Sequence, residues 1–132
     1  MKNNLKKIIV NYELIFYLMY WQIYNFFYIK IKSFNSIIEY VKKPISGKWK
    51  GSYEINQIAK YHAKICKILM INQCLISAIT LNNAFKKLGI NSSIIIGITK
   101  SESFKSHAWV NTEHGDFLFD NKNTYKKILE IK

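Results

Sequence analysis

The chain has 132 residues, of which 49% are apolar, so it can bury one sizeable core but is too short for several domains. Its formal charge of +12 would suit nucleic acid or an anionic membrane, but all 20 basic residues are lysine and none is arginine. Because arginine is the usual group for bidentate contacts to phosphates and bases, we expect no specific recognition of nucleic acid.

The N-terminal segment starts with several lysines and continues as a long apolar run. It lacks the small-residue cleavage site of a signal peptide, and Gln22 and Asn25 interrupt the apolar core from Leu14 to Ile29. That core is shorter than the roughly 20 residues that a membrane span needs. We therefore predict apolar helices up to about residue 43, broken near Ser33, that are buried or lie on the surface. Contact with a membrane interface is the minor alternative.

The middle of the chain predicts a loop and then two helices. "KKPISGKWKGSYE" contains the only proline and two glycines, which is typical of a loop. Apolar residues recur at helical spacing over residues 52–69, a stretch that includes His62 and Cys66. In "INQCLISAITLNNAFKKLG", Asn72 can cap a second helix that ends at Gly89, which places Cys74 at its second position.

The last third predicts strands. "INSSIIIGIT" is β-branched and almost continuously apolar, as a buried strand would be. "HAWVNT" and "DFLFDN" flank the short segment "EHG" and are typical of a β-hairpin. Residues 125–132 form a final strand or helix. We expect an α+β fold in which residues 1–50 are an N-terminal helical region and residues 51–132 the core, together one compact domain.

Cys74 is the candidate nucleophile. A cysteine in the first turn of a helix lies where free backbone N–H groups and the helix dipole favour the thiolate. The only other cysteine, Cys66, falls on an apolar stripe, and two cysteines are too few for a disulfide scaffold. No spacing of cysteine and histidine suggests a zinc site, and we expect a reducing, cytoplasmic location and no cofactor or metal.

A nucleophilic cysteine needs a base, and three histidines could supply it. His62 lies on an apolar helix stripe and is expected to be a core residue, and His114 is expected to be solvated in the hairpin turn. His107 begins a strand, where Cys/His sites are commonly built. Pairing Trp109 with Asp120 across the hairpin makes Asp120 the diagonal neighbour of His107 and the one hairpin acid able to orient it.

The predicted faces of this hairpin follow from the same register. Ala108, Val110, Phe117 and Phe119 would lie on the core face, and His107, Trp109, Leu118 and Asp120 on the other. Cysteine at a helix start, histidine at a strand start and aspartate on the next strand form the arrangement of papain-like and transglutaminase-like thiol enzymes.

Several motifs resemble the transglutaminase-like leader peptidases of lasso peptide biosynthesis, the B proteins. They are "CLISAITLNNAFKKLGINSSIIIGI", "FKSHAWV" and "GDFLFD", within residues 70 to 130. In that family the serine of the cysteine motif stands one position later than Ser77. The resemblance implies a papain/transglutaminase-like core with Cys74 as nucleophile, His107 as base and acid, and Asp120 as the orienting carboxylate. It also implies a precursor peptide substrate, a separate leader-recognition protein and a lasso cyclase as partners.

The sequence therefore predicts a cysteine peptidase that removes the leader from a ribosomally made peptide. The backbone N–H of Cys74 would form half of the oxyanion hole, with Gln73 or Trp109 as candidates for the rest. Acyl transfer to an amine uses the same residues and is an alternative. The other alternative is a non-enzymatic basic protein that binds membrane or nucleic acid, with Cys74 merely buried.

Overall fold

The computed structural model describes residues 2–45, 47–49, 51–71, 73–99, 106–119 and 125–132, with side chains from Tyr12 onward. Four helices precede four strands: α1 Lys2–Ile31, α2 Phe34–Lys42, α3 Ile55–Leu69, α4 Cys74–Lys87, β1 Ser92–Thr99, β2 Ser106–Thr112, β3 Gly115–Phe117 and β4 Tyr125–Ile131. The strands form one antiparallel sheet in the order β3-β2-β1-β4. The predicted α+β class is confirmed.

Helix α1 packs on α3 and α4 with a buried stripe that begins with apolar side chains and continues with amide side chains. Leu14, Leu18, Gln22 and Asn25 are all fully buried along this stripe. The helix is therefore not apolar throughout, and among the described residues no helix is long and apolar enough to cross a membrane. Ser33 caps α2 by accepting a hydrogen bond from the Ser36 N–H, which confirms the predicted break.

The start of α4 differs by one residue from the predicted start. Cys74 is the first helical residue, and Gln73 occupies the N-cap position without a side-chain capping bond. The predicted cap, Asn72, lies outside the described residues. At the other end Gly89 has a φ of +86°, and the N–H of Ile90 bonds to the carbonyl of Phe85. Such a left-handed turn favours glycine, so the predicted end of the helix is confirmed.

Helix α4 is the centre of the molecule, because all ten residues from Ile76 to Phe85 are buried. One side of the helix packs on α1, and the other packs on the sheet face that carries Ala108 and Val110. Phe117 of β3 reaches the same core, with its ring 4.9 Å from that of Phe85. The helix start that carries Cys74 is thereby held between the helical layer and the sheet.

The hairpin register differs by two residues from the predicted one. Val110 pairs with Phe117 rather than with Phe119, since the two-residue turn is Glu113-His114 instead of His114-Gly115. A shift of two keeps side chains on the same faces, so Ala108, Val110 and Phe117 do face the core. Phe119 does not: the strand ends at Phe117, and the ring of Phe119 lies 5.2 Å from that of Trp109.

Candidate active site

Cys74 lies at the N-terminus of α4, where backbone N–H groups have no acceptor within the helix. The first bond of the helix runs from the Ser77 N–H to the Gln73 carbonyl at 3.0 Å. The thiol is free and half-buried. A free thiol beside unpaired N–H groups is suited to nucleophilic attack, because the same groups can stabilise a thiolate or a developing oxyanion.

Cys74 and His107 line the same cleft, which has a volume of about 650 Å³. The residues lining it come from α3 and the residue after it, from α4, from β2 and from the bend after β3: His62, Ala63, Cys66, Lys67, Met70, Cys74, Ser77, His107 and Leu118. A cysteine and a histidine that open into one cavity are the minimum for thiol catalysis. The cleft is therefore the candidate active site.

The orientation of His107 is set by a backbone carbonyl. Its Nε2 lies 2.6 Å from the Leu118 oxygen, and since a carbonyl can only accept, Nε2 carries the proton that is donated. In the neutral ring this leaves Nδ1 unprotonated and able to accept a proton. Leu118 has a φ of +66°, a left-handed conformation that ends the regular strand directly after Phe117.

An aromatic cluster on the sheet supports the imidazole. The ring of Tyr125 stacks on His107 with centroids 5.3 Å apart, and that of Trp109 lies 6.1 Å away. Gly97 pairs with His107 on the neighbouring strand, and its missing side chain makes room for these rings. The ring of His107 is thus held by stacking as well as by its hydrogen bond to Leu118.

The third predicted site residue, Asp120, lies outside the described residues, so its orienting role stays a prediction. What sequence reasoning missed is the Leu118 carbonyl. A main-chain acceptor has no signature in the sequence, and leucine is not a residue type that signals a left-handed turn. The one available signal was that Leu118 stands two positions before Asp120, the residue predicted to pair with Trp109.

A buried polar cluster of Gln22, His62 and Cys66 borders the cleft, and His62 and Cys66 help to line it. Gln22 Oε1 is 3.1 Å from His62 Nε2, and the Cys66 sulfur lies 3.5 Å from the same nitrogen. Burial lowers the pKa of His62 to about 4 and raises the pKa of the Cys66 thiol. At neutral pH both groups are therefore uncharged, so Cys66 is a poor nucleophile and His62 a poor base. This fits the prediction that both belong to the apolar stripe of α3.

The other histidine and the other large cavity do not form an alternative active site. His114 is exposed in the hairpin turn, as predicted, beside Glu113 at 3.8 Å. A cavity of about 710 Å³ at the other end of α4 is lined by lysine, serine, asparagine, glycine, Ile90 and one carboxylate, Glu113, with neither cysteine nor histidine among its described lining residues. Among the described residues no group of three or more potential ligands is placed to hold a metal ion.

Comparison with known protein families gives a match to one superfamily profile over most of the chain. The profile of the transglutaminase-like superfamily matches residues 27–130, which is most of the chain and includes Cys74, His107 and Asp120. No curated protein and no solved structure matches significantly. Members of this superfamily are usually cysteine peptidases or acyltransferases, which fits a thiol enzyme. The chain therefore belongs to the transglutaminase-like superfamily.

Proposed function

We propose that the protein is a cysteine peptidase that removes the leader from a ribosomally made precursor peptide of the lasso type. The observation that carries this is that Cys74, at the start of α4, and His107, with its Nε2 proton donated to Leu118, open into one cleft. Superfamily membership supports the thiol chemistry, and the sequence motifs around Cys74 and His107 support the narrower substrate class.

In the proposed mechanism Nδ1 of His107 takes the proton from the Cys74 thiol, and the thiolate attacks the scissile carbonyl. The backbone N–H of Cys74 faces the oxyanion that forms. When the tetrahedral intermediate collapses, the imidazolium gives its proton to the amine of the core peptide, which leaves, and the leader stays as a thioester on Cys74. Water, deprotonated by His107, then attacks the thioester; the C–S bond breaks, the leader leaves as a carboxylic acid, and the Cys74 thiolate takes the proton back from His107.

Recognition of the precursor is assigned to a second protein. A separate small leader-recognition protein would present the precursor, and a lasso cyclase would use the released core peptide. The high positive charge suits an acidic partner or leader. Within the proposal, Asp120 would hold the imidazolium form of His107, in addition to the Leu118 carbonyl.

The proposal is tested by alkylation with iodoacetamide at pH 6, followed by mass spectrometry of the peptides that contain Cys74 and Cys66. We expect Cys74 to react at least about tenfold faster than Cys66, and a His107→Ala variant to lose most of that difference. His114→Ala is the matched control, because that histidine is exposed and remote from the cleft. Equal, slow labelling of both cysteines, unchanged in His107→Ala, would refute the catalytic role.

Acyl transfer is the second candidate, because acyltransferases belong to the same superfamily. The thioester on Cys74 would then be attacked by an amine instead of water. Incubation of enzyme and precursor peptide with a primary amine separates the two functions. A leader that carries the amine indicates transfer, and a leader with a free carboxylate indicates hydrolysis.

A further inference from the structure

Gln22 is a fully buried amide at the point where α1 meets both α3 and α4. Its Nε2 donates to the carbonyl of Ile71 at 3.0 Å and to Oγ of Ser77 at 3.2 Å. Ile71 stands three residues before Cys74, and Ser77 three residues after it. Both protons of one amide are therefore used on the two sides of the candidate nucleophile.

The other end of the same side chain is also occupied. Oε1 of Gln22 lies 3.1 Å from Nε2 of His62, and since an amide oxygen can only accept, Nε2 carries the one proton of the neutral ring and donates it. Gln22 thus links three segments through three strong contacts, and the sulfur of Cys66 at 3.5 Å is a weaker fourth. A buried amide whose two protons and oxygen are all hydrogen-bonded restricts the segments it joins to one arrangement.

Helix α4 needs such a link at its start. Gln73 at its N-cap makes no side-chain bond to the first turn, so the helix lacks the local cap that usually fixes where the first N–H groups point. The hydrogen bonds from Gln22 hold the segment before the helix and the first turn together from outside. They fix the position of the helix start, although, unlike a cap, they give its first N–H groups no acceptor.

We propose that Gln22 is a positioning residue for Cys74: it fixes the start of α4, and with it the Cys74 thiol and backbone N–H, relative to His107. This inference rests on the proposed function for its catalytic meaning. Gln22 lies before residues 27–130, the part that matches the superfamily, so the match assigns it no role. The other titratable groups that line the cleft are His62, Cys66 and Lys67 of α3 and His107 of β2. Of these, His62 forms a hydrogen bond with Oε1 of Gln22.

The test compares Gln22→Met with Asn25→Leu. Asn25 is the matched control: it is on the same helix, equally buried, and also joins α1 to α4, through Thr80 at 2.9 Å, but Thr80 stands six residues after Cys74. Ser77→Ala, which removes one acceptor only, is the milder variant should Gln22→Met not fold. Two readouts are used: hydrogen exchange at the amide of Ser77 and the next turn, and the pH profile of iodoacetamide labelling at Cys74.

In Gln22→Met we expect faster exchange at the start of α4 and a shift of the labelling profile to higher pH by about one unit, a tenfold loss of rate at pH 6. Ser77→Ala should shift both in the same direction by less, and Asn25→Leu should lose stability without moving either. Unchanged exchange and labelling in Gln22→Met, or equal changes in Asn25→Leu, would overturn the positioning role.

Failure of the proposed function gives a different result. If Cys74 of the unaltered protein reacts no faster than Cys66, the catalytic proposal falls, and the exchange data alone decide whether Gln22 fixes the start of α4. Faster exchange only in Gln22→Met supports that role, and exchange equal to that of Asn25→Leu contradicts it.

Discussion

At the scale of single residues, Gly97 sets how closely the aromatic cluster can approach the sheet beside His107. A Cβ at this position would lie 2.9 Å from Cη2 of Trp109 and 3.0 Å from Cβ of Tyr125. The indole and phenol rings that contact His107 would have to move. The glycine is therefore required by the support of the imidazole, not by its own backbone conformation.

We predict that Gly97→Ala lowers the free energy of unfolding by about 1–3 kcal/mol, as overpacking does, and slows alkylation of Cys74 at pH 6. Gly89→Ala is the control: its φ of +86° makes alanine unfavourable by roughly 1–2 kcal/mol, but it lies at the far end of α4. Urea unfolding and labelling rates of both variants provide the comparison. Normal labelling in Gly97→Ala would show that the cluster does not support His107.

His62 gives the protein a specific dependence on acid. Burial lowers the folded-state pKa from 6.5 to about 4, so between these values the unfolded chain binds a proton that the folded chain does not. The contribution of the neutral, buried His62 to the free energy of unfolding is therefore complete above pH 6.5. It decreases by about 3 kcal/mol as the pH falls toward 4. Urea unfolding at pH 7 and pH 4.5 should show a smaller difference for His62→Gln than for the unaltered protein.

Single residues also show which parts of the site a sequence can predict. Cys74 and His107 could be identified because a cysteine at a helix start and a histidine at a strand start are recognisable patterns. Gln22 could not be identified in this way, because in the sequence it only interrupts an apolar run. Its three contacts become visible only when α1 is packed against α3 and α4. The structure leaves Asp120 as a prediction, since it lies outside the described residues.

At the scale of elements, helices were easier to predict than strand pairing. The period of apolar residues gives a helix directly, and Gly89 marks the end of α4 by its left-handed turn. The hairpin register depends on which two residues turn, and "EHG" allows two choices that differ by a two-residue shift. Because the shift is of two residues, the side chains up to Phe117 lie on their predicted faces. The left-handed conformation of Leu118 then ends the alternation, so Phe119 does not lie on the core face as predicted.

The turn of this hairpin is held by Thr112, whose Oγ1 donates to the Gly115 carbonyl at 2.8 Å and accepts from the His114 N–H at 3.0 Å. We predict that Thr112→Val costs about 1–2 kcal/mol of stability and slows labelling of Cys74, because β3 leads directly to the carbonyl that orients His107. His114→Ala changes an exposed side chain of the same turn and should alter stability by less than about 0.5 kcal/mol. A Thr112→Val protein with normal labelling would separate the turn from the site.

At the scale of the whole molecule, α1 has two contrasting faces. One packs on α3 and α4, and the other exposes an aromatic face made of Tyr12, Phe16, Tyr20, Ile23, Tyr24, Phe27 and Ile31. Phe16 is 65% exposed and Phe27 56%. The sequence predicted the helix but not which of its apolar residues would be covered, because both faces are apolar and only tertiary packing selects one. The division of the chain near residue 50 also stays a prediction.

We predict that the double variant Phe16→Ser, Phe27→Ser changes the free energy of unfolding by less than about 1 kcal/mol but reduces fluorescence of the anionic apolar dye anilinonaphthalene sulfonate. The positive charge of the protein and the exposed rings both favour this dye. Leu18→Ser, on the fully buried stripe, should instead cost more than about 2 kcal/mol. Undiminished dye fluorescence in the double variant would assign the dye to another surface.

The bond between His107 and Leu118 has a consequence for how this protein can be dissected by mutagenesis. The acceptor belongs to the main chain, so every amino acid at position 118 carries the same oxygen, and substitution of that side chain leaves the acceptor in place. An alanine scan would identify Cys74 and His107 but pass over the atom that fixes the imidazole. The position of this oxygen depends on the path of the chain after β3. An insertion or deletion between Phe117 and Phe119 is therefore the change expected to break the hydrogen bond to His107.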